Sequence, residues 1–165
     1  MSAFGDDHRS GSEDLAAAFL GELERWIAAD PSPGAVVLRA SLLAWLRAAQ
    51  GAQPTMALIH QLAARALLVA DTAVTRGDGV ADVRRALAES CAAERADLAL
   101  TRRAVIHQAL QLLGGRGAWI ATLSSSALVR DALLAAHEAG RQPRALIAES
   151  RPLCEGRALA SALAA

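Results

Sequence analysis

The sequence predicts a mainly helical N-terminal domain followed by the start of an α/β domain with two parallel strands in an incomplete sheet. Ala and Leu dominate the 53% apolar fraction, and aromatic residues make up only 3%, which favours helix over sheet. Apolar residues recur at helical spacing through the first two-thirds of the chain. In the last third the pattern changes to short apolar runs between turn residues, which is typical of buried parallel strands.

The N-terminal domain is predicted to span residues 12–113, after a polar, disordered lead over residues 1–11. Its apolar stripes predict four helices. The third helix is expected to begin at Pro54, because proline is tolerated in a first turn, and the fourth is expected to run from about residue 80 to 113. Segments that contain Pro or Gly separate the helices, at 30–34, 50–54 and 76–79.

Residues 114–165 are predicted to form the first βαβα part of an α/β domain. Strands are expected at 118–122 and 145–148, each followed by a turn and a helix. A short strand–helix–strand crossover makes the two strands parallel. Two parallel strands do not form a stable sheet by themselves. We therefore expect a chain that is truncated at its C-terminus, or a domain that something else completes.

Composition and charge exclude several classes of protein. The 17 basic and 17 acidic residues give zero net charge, so direct nucleic-acid binding is not expected. The sequence lacks the roughly 18 uninterrupted apolar residues of a membrane span, and its acidic start is unlike a secretory signal, so we predict a cytoplasmic protein. The two Cys and four His residues do not have metal-ligand spacing, so neither a metal nor a cofactor is predicted.

A serine-rich turn follows the first predicted strand. Ser124, Ser125 and Ser126 precede a helix, and backbone N–H groups at a helix N-terminus beside hydroxyl groups can bind a phosphate. The alternative role is simple N-capping of that helix, which is the more common one.

A charged turn follows the second predicted strand. Glu149, Ser150 and Arg151 lie at its carboxyl end, the edge at which open parallel sheets bind their ligands. The alternative is a surface turn in which Arg151 pairs with a neighbouring acid.

The same two turns carry a family resemblance. The run Glu149-Ser150-Arg151-Pro152, followed by Glu155-Gly156, resembles a signature of the alpha, beta and delta subunits of translation initiation factor 2B and their sugar-phosphate isomerase relatives. Those relatives are methylthioribose-1-phosphate isomerase and ribose-1,5-bisphosphate isomerase. The resemblance covers residues 113–163 most strongly, and it implies a helical N-terminal domain followed by a Rossmann-like domain with several more strands.

The resemblance also implies where isomerase chemistry would reside. Ser124 occupies the position of the catalytic Cys of the isomerases, and a hydroxyl is a far poorer acid or base than a thiol. Pro33 and Gln53 occupy the positions of two arginines that bind the substrate phosphate. The catalytic Asp of the family would lie beyond Ala165. These departures favour a protein that is not an isomerase.

The predicted function is therefore that of an initiation factor 2B-like regulatory or binding protein without isomerase activity. Its degenerate pocket for a sugar phosphate or nucleotide would comprise residues 124–126 and 149–151. At full length the protein is expected to form homo- or hetero-oligomers. Two alternatives remain: a divergent aldose–ketose isomerase for ribose phosphates, and a helical scaffold for protein interactions.

Overall fold

The computed structural model describes residues 11–164, so all but the last residue of the predicted disordered lead lies outside the described residues. Within that range the structure contains six α-helices and two parallel β-strands, which confirms the predicted fold class. The elements in chain order are α1 (Ser12–Ala29), α2 (Ala35–Ala52), α3 (Ala57–Arg76), α4 (Val80–Leu112), β1 (Trp119–Thr122), α5 (Ala127–Glu138), β2 (Arg144–Ile147) and α6 (Glu155–Ala164).

The described chain divides into two compact units, residues 12–97 and 98–164. The sequence places the domain boundary after residue 113, where the pattern changes from helix to strand. The compact units divide instead within α4, because its first half packs in the helical unit.

The core of the first unit comes from all four of its helices. α3 packs against α1 and α2, and the rings of Phe19 and Trp26 lie 5.6 and 6.0 Å from that of Trp45. The fully buried side chains of this core include Leu15, Phe19, Leu38, Leu42, Ile59, Val83 and Leu87. These residues recur at the helical spacing that predicted the helices.

α3 is long and apolar enough, by length and composition alone, to cross a membrane. Its apolar face, however, packs into the core of the first unit. Arg65 of α3 pairs with Glu94 at 2.6 Å, and Asp71 accepts a hydrogen bond of 2.5 Å from Arg39. The core helix of a helical domain can be equally long and apolar, so the length and composition of α3 are weak evidence for a membrane span.

The third helix begins three residues later than predicted. Pro54 lies in a turn, and α3 starts at Ala57 after the extended residue Met56. The Met56 N–H donates to the Gln53 carbonyl oxygen at 3.2 Å, which closes the turn before the helix can begin. The prediction that Pro54 opens the helix was therefore wrong.

In the second unit, β1 and β2 pair in parallel with Trp119 opposite Arg144 and Thr122 opposite Ile147. α6 packs against α5 and β2, and its Leu159 is buried. Both strands lie within one residue of their predicted positions.

The prediction that the strands are buried was wrong. Trp119 is 69% exposed and Leu146 is 65% exposed. The two strands form a sheet by themselves, and the side chains that share a face with Trp119 and Leu146, those of Ala121 and Arg144, are exposed as well. Apolar runs of this kind suit a sheet covered on both faces.

An ion-pair cluster ties α4 to α5 within the second unit. Arg102 Nη2 lies 2.6 Å from Asp131 Oδ2, and Arg130 Nε lies 2.9 Å from Asp131 Oδ1. Burial opposes ionisation of Asp131, but the hydrogen bonds from Arg102 and Arg130 outweigh it and lower the pKa of the carboxyl below its ordinary value.

Candidate functional site

The turns after β1 and β2 meet at the carboxyl edge of the sheet. The backbone N–H of Ser124 donates to the Ser150 hydroxyl oxygen at 2.7 Å. The same Ser150 hydroxyl donates to the Ala148 carbonyl oxygen at 3.3 Å. The last ladder bond, from Ala148 N–H to the Thr122 carbonyl oxygen at 2.9 Å, brings both strands to this point. The structure thus joins the two turns that the sequence singled out.

Both turns use a backbone conformation that non-glycine residues rarely adopt. Ser124 has φ 62° and Ser150 has φ 61°, in the left-handed region, and Cys154 has φ 56° a few residues later. Each such residue costs on the order of 1 kcal/mol, and residues of this kind cluster at ligand sites. The tight turns keep the backbone of residues 124 and 150 close to the carboxyl ends of β1 and β2.

The three serines of the first turn have different roles. Ser126 is the N-cap of α5, and its hydroxyl accepts a hydrogen bond from Val129 N–H at 3.4 Å. Ser126 therefore has the N-capping role that the sequence allowed as the alternative to ligand binding. The Ser124 and Ser125 hydroxyls form no hydrogen bond with another described residue, so they remain available to a ligand at the start of α5.

Glu149 binds two arginines at the second turn. Arg151 Nε donates to Glu149 Oε2 at 2.6 Å, and Arg157 of α6 donates to Glu149 Oε1. The pairing of Arg151 with Glu149 is the arrangement expected if residues 149–151 are a surface turn, the alternative that the sequence left open. Sequence reasoning missed Arg157, although its position directly after Gly156 in the first turn of α6 was a usable signal.

Gly156 lets α6 start against the end of β2. A Cβ atom at this position would lie 1.9 Å from the Ala148 carbonyl oxygen and 3.3 Å from the Glu149 carbonyl carbon. The Gly156 N–H also donates to the Glu149 carbonyl oxygen at 3.2 Å. Only glycine fits this close approach, so Gly156 fixes the place from which Arg157 projects.

The remaining sequence-predicted positions lie in the first unit. Pro33 is in the loop between α1 and α2, where Arg84 donates to the carbonyl oxygens of Asp30 and Ser32 at 2.7 and 3.1 Å. Gln53 is the C-cap of α2 and is 3% exposed. Neither Pro33 nor Gln53 carries a charge for a phosphate.

A cavity of about 440 Å³ in the second unit lies outside this edge. It is bordered by α5, α6 and the amino end of β2, so it is distinct from the carboxyl edge. Its lining is mostly apolar and comprises Leu133, Leu134, His137, Pro143, Ala145 and Leu163. This chemistry does not suit a phosphate.

The structure also shows where the possible metal ligands and the two thiols lie. Within residues 11–164, His, Cys, Asp and Glu side chains do not form any group of three or more that could hold a metal ion. Cys91 is buried in the first unit, where burial raises the pKa of its thiol to about 11. The Cys154 thiol donates to the Pro152 carbonyl oxygen at 3.7 Å.

A family model described as the initiation factor 2 subunit family matches residues 8–165. The chain belongs to this family. Among solved structures, it is similar to the translation initiation factor eIF-2B of Pyrococcus horikoshii OT3, with a TM-score of 0.75 and 19% sequence identity. The match covers 98% of this chain and 53% of the Pyrococcus chain, so the chain spans about half the length of that protein. At this identity the likeness shows the fold alone. A comparison with curated proteins gave no match.

Proposed function

We propose that this member of the initiation factor 2 subunit family is a non-catalytic regulatory or binding protein that recognises a sugar phosphate or nucleotide. The ligand's phosphate binds at the edge where β1 and β2 end. The observation that carries the proposal is the 2.7 Å hydrogen bond from Ser124 N–H to the Ser150 hydroxyl, which joins two turns of left-handed backbone into one edge.

Electrostatics favour an anion at this edge. The N-terminus of α5 lies directly after Ser126, and a helix N-terminus attracts negative charge through its dipole and its N–H groups. Arg151 and Arg157 bring two largely exposed guanidinium groups to this edge, where both pair with Glu149. Guanidinium groups bind phosphate in a bidentate manner.

The residue types support binding without isomerisation. A serine hydroxyl stands where the related isomerases have their catalytic thiol, so proton transfer by Ser124 at neutral pH is disfavoured. Uncharged side chains at positions 33 and 53 also remove two charge-assisted contacts, each worth about 1.5–3 kcal/mol. The remaining contacts bind the phosphate without the clamp that an isomerase uses.

Calorimetry with ribose 5-phosphate and with ribose tests the proposal. We expect saturable binding of ribose 5-phosphate, no binding of ribose, and weaker binding of ribose 5-phosphate by Arg151→Ala. Arg116→Ala is the matched control, because Arg116 is an exposed arginine of the same unit that lies before β1 and donates a hydrogen bond to Gln142, before β2. No binding of ribose 5-phosphate or of a nucleotide such as AMP would refute the proposal and favour the helical scaffold.

The same samples distinguish the isomerase alternative. Phosphorus NMR of ribose 5-phosphate incubated with the protein should show no second sugar phosphate. If wild type forms such a product and Ser124→Ala does not, the protein is an isomerase and the proposal of a binding protein is wrong. Assembly into oligomers and a cytoplasmic location stay part of the proposal, and sedimentation of the purified protein measures the first.

A further inference from the structure

The side chains of Glu149, Arg151 and Arg157 form a cluster, here called the counter-ion cluster, at the proposed site. Each carboxylate oxygen of Glu149 takes one guanidinium: Oε2 is 2.6 Å from Arg151 Nε, and Oε1 pairs with Arg157 Nη2. One negative charge is thus shared by two positive charges, which leaves the cluster with a net charge of about +1 at neutral pH.

Exposure shows which parts of the cluster can move. The side chains of Arg151 and Arg157 are 80% and 71% exposed, whereas that of Glu149 is 30% exposed. Both guanidinium groups can therefore reorient without opening the core. The backbone beneath Arg157 is fixed, because Gly156 leaves no space between α6 and the end of β2.

A phosphate competes well with Glu149 for these arginines. A phosphate monoester carries close to two negative charges at neutral pH and presents three acceptor oxygens, whereas a carboxylate carries one charge and two oxygens. Exposed Arg–carboxylate pairs are weak, so their exchange for a phosphate costs little.

We propose that Glu149 is a built-in competitor that holds both arginines in the unliganded protein, and that Arg157 is the second phosphate-binding arginine of the site. This inference rests on the proposed function, and it adds a second phosphate-binding arginine and a control on affinity. The exchange of Arg151 and Arg157 from Glu149 to the ligand lowers affinity by the small cost of breaking two exposed ion pairs.

A purely structural role for the cluster gives the opposite result. If Glu149 only fastens α6 to the strand end, then Glu149→Gln loosens that attachment and weakens or does not change phosphate binding. If Glu149 competes with the ligand, Glu149→Gln strengthens binding. The sign of the change therefore separates the two roles.

The experiment is calorimetric titration of the full chain with inorganic phosphate at low ionic strength. We expect Glu149→Gln to bind about 3- to 10-fold more tightly than wild type, because each exposed ion pair that no longer has to break is weak. Arg157→Ala should bind several-fold more weakly, Arg157→Lys should recover part of the loss, and Arg116→Ala should match wild type.

A double variant completes the test. Part of the gain from Glu149→Gln should vanish in an Arg157→Ala background, because Glu149 then competes with the ligand only for Arg151. Urea unfolding of each variant verifies that it folds, and Glu149→Gln with Arg157→Lys suffices if Arg157→Ala does not fold.

The outcomes separate this inference from the proposed function. Suppose that wild type binds phosphate, that Arg151→Ala binds it more weakly, and that Glu149→Gln binds it no more tightly than wild type. This result overturns the inference and leaves the proposed function in place. If neither wild type nor Glu149→Gln binds inorganic phosphate, the inference fails, and the proposed function fails with it only if ribose 5-phosphate and AMP do not bind either.

Discussion

Gly156 leaves no room for a side chain where α6 begins, so Gly156→Ala should destabilise the protein. The added Cβ would lie 1.9 Å from the carbonyl oxygen of Ala148 and 2.9 Å from its carbonyl carbon. Both atoms belong to the backbone at the end of β2 and cannot rotate away. To reach ordinary contact at 3.4 Å, the start of α6 must retreat by about 1.5 Å.

Two opposing effects set the magnitude. Replacing a helical glycine with alanine ordinarily stabilises a protein by about 0.5–1 kcal/mol. Forcing an extra carbon into a packed contact costs about 1–3 kcal/mol, and the retreat also loses the bond from Gly156 N–H to the Glu149 carbonyl oxygen, worth about 1 kcal/mol. With a contact this short the clash prevails, and the net loss should be about 2–3 kcal/mol.

Urea unfolding followed by circular dichroism measures this loss. For a chain of this size the midpoint for Gly156→Ala should fall by about 1–2 M urea. Gly115→Ala is the matched control: no atom lies within 4 Å of its added Cβ, so its stability should stay within about 0.5 kcal/mol of wild type. If Gly156→Ala is as stable as Gly115→Ala, then the packing of α6 against β2 is not as described.

Two further predictions follow from the titratable groups. The pKa of Asp131 is lowered in the folded state because hydrogen bonds from Arg102 and Arg130 outweigh burial, so wild type should exceed Asp131→Asn in stability by about 1 kcal/mol above pH 4. That advantage should disappear as the pH falls through the lowered folded-state pKa, and equal differences in urea midpoint at pH 7 and pH 2.5 would contradict the reasoning. Because burial raises the pKa of Cys91 to about 11, iodoacetamide at pH 8 should alkylate Cys154 in the folded chain and Cys91 only in denaturant. Mass spectrometry measures the alkylated fraction of each cysteine. Equal alkylation of Cys91 and Cys154 in the folded chain would contradict the prediction.

The sequence predicted the helices and strands well because their signals are local. The long helix α4 was predicted to within one residue from its apolar spacing, and each strand from a short apolar run. The start of α3 was wrong because the turn at Pro54 depends on a backbone bond between Gln53 and Met56, which residue preferences do not specify.

The meeting of the two turns was also predictable, because the carboxyl ends of parallel strands share one edge of a sheet. The details depended on three-dimensional contacts. Arg157 comes eight residues after Glu149, and their pairing requires α6 to fold back onto the strand end. The exposure of Trp119 could not be predicted because an apolar run indicates that a strand can be buried, while the covering elements decide whether it is.

Amide chemical shifts would show whether the turns after β1 and β2 form one phosphate site. The protein labelled with nitrogen-15 would be titrated with ribose 5-phosphate and followed by two-dimensional NMR. We expect saturable shifts concentrated at residues 124–126 and 149–157, with little change at Arg116 before β1 and at Arg144, the first residue of β2. Shifts concentrated at the amino ends of the strands, or none that saturate, would contradict it.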